Sequence, residues 1–250
     1  MERAGISRDL CAYMRNYWGS VLIDKFLLGD GTIVDGFPKA DLLFSIHVCC
    51  SHAKWYQFVR DAEGGVPYRA IDGVVFDKQP QLDDPALDYQ VQQALEAIDW
   101  MEKTTGRKYN DELLFEAIYN DLDSISLWSQ IEECNHVIPA PIDQKLMFAM
   151  SNCMTTSPHR EESVEFLTDL LDEMKDRVKR GIAAVGDEQV RFLIDNTPVW
   201  GYLGFFRHLE KAWGAAGVGG TYSATFSGWE RDEEGNLHAA KRPREKGDYS

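Results

Sequence analysis

The sequence predicts an α/β protein with a parallel sheet interrupted by a block of helices. Three observations predict it: short apolar runs ending in turns, helical periodicity directly after those turns, and nearly unbroken helical periodicity between about residues 85 and 181. The run Asp41 to Val48 (DLLFSIHV) is apolar between polar flanks and reads as a buried strand of the parallel kind. Ser51 to Arg60 then places Trp55, Phe58 and Val59 on one helical side, and Gly64-Gly65 ends it. Cys49 and Cys50 fall in the turn between the two. Val66 to Val75 returns as a second strand and completes a βαβ unit, although Pro67 and Gly73 weaken its strand character.

From Pro85 to about Thr105 the residues Leu87, Val91, Leu95, Ile98 and Met101 recur every three or four positions, and Gly106 closes the helix. Similar periodicity runs from Asp111 to about Glu133, from Asp143 to about Met154 and from Glu161 to about Arg180. After Gly186, Gln189 to Ile194 reads as a strand and Asp195-Asn196-Thr197-Pro198 as a turn. A helix follows from about Gly204 to Trp213, and Ala216 to Gly219 begins another strand. Beyond Ser227 the chain turns polar and charged, with nothing expected to complete a sheet. The expected organisation is a first α/β domain over 1–186, short of its first elements and carrying the helical insertion at about 85–181. A second α/β domain begins at 187–250 and is cut off.

A chain of 250 residues with 44% hydrophobic side chains buries a real core. Its formal charge of −15 repels a phosphate backbone, which argues against nucleic acid as a partner. A coenzyme A ester is not excluded, because a few Arg or Lys side chains in a pocket meet its phosphates locally. No run reaches the roughly 18 apolar residues that span a bilayer, and MERAGISRDL is too polar for a secretory signal, so a cytoplasmic protein is expected. Five cysteines without an export signal argue against a disulfide framework.

Open α/β sheets bind ligands at the carboxyl ends of their strands, which is where Cys49 and Cys50 lie. The functional reading is thiolate ligation of a metal, and the alternative is two apolar cysteines at a strand end. Cys11, in LCAYMRNYWG, is a weak signal alone. The chain holds no C-x-x-C pair, so any metal site is assembled from distant segments. His47 and His52 flank the cysteine pair and keep a zinc site in view, whereas Cys134 and Cys153 at helix ends read as structural. Gly217, Gly219 and Gly220 lack the G-x-G-x-x-G order and a following helix, which argues against a nucleotide loop. Glu132-Glu133 and Glu161-Glu162 read as solvated helix faces.

Four blocks in order point further: SRDLCAYMRNYWG, ADLLFSIHVCCSHAKWYQ, WMEKTTGRKYNDELLFEAI and VRFLIDNTPVWGYLGFFRHLEKAWGA. Together they resemble the catalytic iron–sulfur subunits of the 2-hydroxyacyl-CoA dehydratase and benzoyl-CoA reductase (class I, ATP-dependent) family. That resemblance implies Rossmann-like or flavodoxin-like domains and a [4Fe–4S] cluster held by three cysteines beside a bound acyl-CoA thioester. It implies Cys11 as one ligand and Cys49 as another, with Cys50 the alternative to Cys49, and a third ligand outside this chain. It also implies as partners a homologous second catalytic subunit, ATP-hydrolysing iron–sulfur activator subunits and reduced ferredoxin. The aromatic-rich blocks and DNTPVWGYLGFF look more like the reductase branch. The expected activity is therefore an oxidoreductase acting on benzoyl-CoA in anaerobic aromatic degradation. The alternatives are an (R)-2-hydroxyacyl-CoA dehydratase, a lyase, or a non-catalytic or zinc-binding α/β interaction module.

Overall fold

The computed structural model describes residues 2–28, 31–74 and 85–240. They fall into two compact units, Met1–Tyr109 and Asn110–Ser250. Both combine helices with a parallel strand pair and an antiparallel hairpin, an α/β fold as the sequence predicts.

The first unit opens with a helix that periodicity did not single out. Helix α1 (Ala12–Ile23) starts directly after Cys11 and ends at Asp24, whose backbone is left-handed at φ 51. Met14 and Trp18, one turn apart, are its buried residues, while Gly19 and the scattered aromatics blur its stripe in the sequence. An antiparallel hairpin follows, β1 (Lys25–Leu27) with β2 (Ile33–Asp35), its ends joined by a Lys25–Asp35 ion pair. Strand β3 (Leu43–His47) then pairs in parallel with β4 (Tyr68–Asp72) through α2 (His52–Ala62), the βαβ unit expected from the sequence. Leu43 and Ser45 are buried and Ile46 is exposed, so β3 covers one face rather than the two that a wholly buried strand would. Met14, Trp18, Leu43 and Val59 form the core, and Trp18 stacks on Phe58 at 4.1 Å while donating its indole N–H to Trp55 O at 3.0 Å.

Helix α3 (Pro85–Thr105) has the predicted bounds but an unexpected face. Ala97 is its buried residue, and Val91 and Leu95 of the apolar stripe are exposed. Gln90, Gln93 and Glu96 instead meet β4.

In the second unit, Asn110 caps α4 (Asp111–Glu133) by accepting from Glu112 N at 2.8 Å. The stretch expected as one helix from 143 to 154 divides at Ser151 into α5 (Gln144–Met150) and α6 (Asn152–Thr156). There the buried Ser151 hydroxyl donates to Phe148 O at 2.9 Å. Helix α7 (Glu161–Arg180) packs on α4, and Trp128, Ile131, Met147, Leu167 and Met174 form the centre of this core. A second parallel βαβ unit runs β5 (Val190–Ile194), α8 (Gly204–Trp213), β6 (Ala215–Gly220), with Phe192 stacked on Phe206 at 6.4 Å.

Two local expectations change here. Gly220 is followed by a one-turn helix, α9 (Thr221–Ala224), where no helix was foreseen. The polar stretch past Ser227 forms an antiparallel hairpin, β7 (Trp229–Arg231) with β8 (Leu237–Ala239). It is held to α4 by the Ser126 hydroxyl, which donates to Ala240 O at 2.7 Å. A short Asp232–Asn236 turn with its own side-chain bonds makes that hairpin, and neither strand has the apolar alternation that would reveal it in the sequence.

Candidate functional site

Strand β3 ends at His47, and residues 48–51 turn the chain into α2. Cys49 and Cys50 stand exposed in that turn. The Cys49 carbonyl accepts from Ala53 N at 3.2 Å and Ser51 O from Trp55 N at 2.9 Å, so the first helical turn begins on the cysteines. Cys11 occupies the corresponding place in α1: it precedes the helix, its carbonyl accepts from Arg15 N at 3.0 Å, and it is half-buried against the Met14–Trp18 core. The Trp18–Trp55 bond ties the two cysteine-led helices together within one unit.

Arg15 lies one turn past Cys11. Its guanidinium reaches Glu2 at 3.1 Å, and Arg8 meets the same carboxylate at 2.9 Å. The hydrogen bond from Arg8 holds the Glu2 carboxyl below the usual carboxylate range. The segment before Cys11 is thereby pinned to α1 by charge.

At the carboxyl end of β4, Asp72 lies opposite His47 in the register of the sheet. One Asp72 oxygen is 3.6 Å from His47 Nδ1, and the other accepts from the Tyr89 hydroxyl at 2.8 Å. That bond raises the Tyr89 phenol pKa, because it favours the protonated phenol. Sequence reasoning missed Asp72, Tyr89 and Gln93. Polar residues on a helix read as a solvated face, and no local spacing joins them to a strand 17 or more residues away. His52 lies edge-on to the Trp55 ring at 5.6 Å.

Cys134 and Cys153 belong to the second unit and pack against its core. Burial pushes both thiols up, and Cys153 Sγ donates to Met150 O at 3.0 Å, which fits the structural role expected of them. This unit also holds a cavity of about 410 Å³ lined by Glu132, Arg191, Gly219 and Trp229, among others. Two of its charged groups have partners within the protein. Arg191 donates to Asn135 O at 2.6 Å and Val137 O at 2.9 Å, and Glu132 accepts from Ser227. Burial raises the Glu132 carboxyl pKa, opposed by the serine hydroxyls. A Cβ on Gly220 would come within 2.9 Å of Ile194 O, so this glycine serves strand packing rather than a phosphate.

With this geometry in view, comparison with known proteins gives a consistent result. Residues 1–241 match the family model described as 2-hydroxyglutaryl-CoA dehydratase, D-component. The chain belongs to that family. Among characterised members, the (R)-2-hydroxyisocaproyl-CoA dehydratase alpha subunit of Clostridioides difficile is 25% identical over 88% of this chain and 53% of its own length. The (R)-phenyllactyl-CoA dehydratase alpha subunit of Clostridium sporogenes is 22% identical over 81% of the chain and 48% of its own length. The (R)-2-hydroxyglutaryl-CoA dehydratase subunit alpha of Acidaminococcus fermentans is 26% identical over 76% of the chain and 40% of its own length. This dehydratase-family chain therefore spans about half or less of these relatives.

A [4Fe–4S] cluster of the kind implied above needs three thiolates. Cys11 and the Cys49–Cys50 turn are donors of the right chemistry in one unit, and the two remaining cysteines, partly buried, pack against the core of the other. Among the described residues, no group of three or more His, Cys, Asp or Glu side chains is placed to hold a metal ion. The described residues do not complete a cluster site, and His47 and His52 do not complete a zinc site. No helix among them is long and apolar enough to cross a membrane.

Proposed function

We propose that this chain is part of an alpha-type subunit of an (R)-2-hydroxyacyl-CoA dehydratase, which removes water from a 2-hydroxyacyl thioester. The observation that carries the reading is the family match along residues 1–241, supported by relatives that are all dehydratase alpha subunits. It corrects the preference stated from the aromatic blocks. Those relatives support the lyase alternative better than benzoyl-CoA reduction or any other oxidoreductase activity.

Within this reading Cys11 and Cys49, with Cys50 as the alternative to Cys49, supply thiolates to a [4Fe–4S] cluster, and the remaining donor lies outside the described residues. The support is chemical. The Cys49–Cys50 turn is exposed at a strand's carboxyl end, and Cys11 begins the helix bonded to α2. Bound there, the cluster would supply low-potential electron chemistry. This chain's part is to hold the thiol-bearing turns in place, through the Trp18–Trp55 bond and the Arg15–Glu2–Arg8 charges. The whole enzyme needs a second subunit, and we assign the energising electron to an ATP-dependent activator.

The test assembles the complete enzyme anaerobically with its activator and offers it an (R)-2-hydroxyacyl-CoA and benzoyl-CoA separately. Formation of the enoyl-CoA from the first is expected. Formation of a dienoyl-CoA from the second, without dehydration of the first, would return the reading to the reductase branch.

A further inference from the structure

Strand β4 pairs with β3 on one side, and among the described residues no strand lies on its other side. The backbone groups on that open edge need partners. Helix α3 provides them with side chains. Gln93 Oε1 accepts from Asp72 N at 2.8 Å, and Gln93 Nε2 donates to Asp72 O at 3.5 Å, so one side-chain amide meets both backbone groups of Asp72 as a neighbouring strand would. Gln90 Oε1 accepts from Val74 N at 3.3 Å. The Tyr89 hydroxyl holds one oxygen of the Asp72 carboxylate at 2.8 Å. At the opposite end of the strand, Arg69 pairs with Glu96 at 2.6 Å. Residues 89, 90, 93 and 96 share one face of the helix, which is why a single helix reaches Arg69 near the start of the strand and Asp72 at its end.

Asp72 is where this grip reaches the cysteine turn. It is the last residue of β4 and is paired in register with His47, the last residue of β3. Its second carboxylate oxygen faces His47 Nδ1 at 3.6 Å. The two strand ends are also pressed together at the next residue, where a Cβ on Gly73 would come within 2.9 Å of His47 O. Two residues beyond His47 stands Cys49.

We propose that Asp72, Tyr89 and Gln93 are positioning residues for the Cys49–Cys50 turn: α3 fixes Asp72, and Asp72 fixes the end of β3 from which the turn springs. The functional meaning of this clamp rests on the proposed role of Cys49. Its existence does not, and it is tested in the metal-free chain.

The experiment uses the full chain without metal. Hydrogen exchange is followed for the amides of residues 46–53, together with iodoacetamide alkylation of each cysteine by mass spectrometry. Tyr89→Phe removes one bond and raises exchange in that segment roughly fivefold, the effect of losing one hydrogen bond of ordinary strength. Gln93→Leu, which removes both bonds to the Asp72 backbone, raises it at least as much. Asp72→Ala, which removes both arms, raises it further and changes the alkylation rates of Cys49 and Cys50. Asp72→Asn keeps an acceptor for Tyr89 and restores most of the order. Glu96→Gln breaks the α3–β4 pair at the far end of the strand and leaves the turn as it was. Alkylation of Cys134 and Cys153 stays constant throughout, which separates a local effect from general loosening. Unchanged exchange in both Asp72→Ala and Tyr89→Phe overturns the proposal. So does an equal rise in Glu96→Gln, because α3 would then act by bulk packing alone. Iron content of the assembled enzyme is a separate readout, so failure of the ligand assignment is distinguishable from failure of the clamp.

Discussion

The two parallel βαβ units have the same order of elements and put opposite things at the carboxyl end of their first strand. After β3 comes a turn with two exposed thiols, and polar groups of α3 hold Asp72 at the adjoining end of β4. After β5 comes Asp195–Pro198, a turn bonded within itself and to the start of α9: Asp195 accepts from Asn196 N at 2.8 Å and from Thr221 Oγ1 at 3.0 Å, and Asn196 takes the left-handed φ of 70. Below that turn, Phe192 of β5 stacks on Phe206, which also contacts Phe148. One topology thus carries a thiol-bearing turn in the first unit and a hydrogen-bonded turn without thiols in the second. Fold alone assigns no chemistry.

The largest effect is expected where the second unit depends on rings. Phe206→Ala removes a buried ring between Phe192 and Phe148 and should cost about 3–5 kcal/mol, read from denaturant unfolding of the full chain. Exchange at residues 46–53 should not change. If it rose in parallel, the two units would unfold as one, and the contrast between them would lose its physical basis.

A smaller effect probes the first unit. Trp18→Phe keeps the stacking on Phe58 but deletes the bond to Trp55 O, and should cost about 1 kcal/mol. A change in Cys11 alkylation alongside the stability loss would sharpen the view that this contact supports both cysteine-led helices. No stability loss would break it.

These contrasts were only partly legible in the sequence. Apolar runs and helical periodicity placed β3, α2, β4, α3, α4, α7, β5, α8 and β6 within a few residues. Helix α1 escaped because only Met14 and Trp18 are buried on it, with Gly19 in between. Both antiparallel hairpins escaped because strands of three residues are too short to show alternation. At the candidate site the cysteine turn was readable as a strand–helix junction. The Asp72–Tyr89–Gln93 clamp was not, since it depends on a helix whose polar side, rather than its apolar stripe, meets the sheet.

The smallest effect concerns pH in the second unit. Burial raises the Glu132 carboxyl pKa above its ordinary value of 4.5, so the folded chain holds that proton more tightly than the unfolded chain. The favourable contribution is complete below pH 4.5 and is lost as pH rises through the raised folded value. Glu132→Gln, always uncharged, should therefore stabilise the chain relative to the parent at pH 7 and lose that advantage near pH 4. Parallel unfolding curves at the two pH values check this. A variant less stable at pH 7 than at pH 4, relative to the parent, would show that the Ser227 and Ser223 hydroxyls outweigh burial.

The contrast between a thiol-bearing strand end and one whose turn bonds its own polar groups is tested most directly by iron. In the complete, anaerobically assembled enzyme, iron and acid-labile sulfide are measured for Cys11→Ser, Cys49→Ser, Cys50→Ser and Cys134→Ser. Loss at Cys11 and at one of the Cys49–Cys50 pair, with Cys134→Ser unchanged, is the predicted result. Equal loss at every position, or full retention at Cys11 and at both cysteines of the turn, would contradict it.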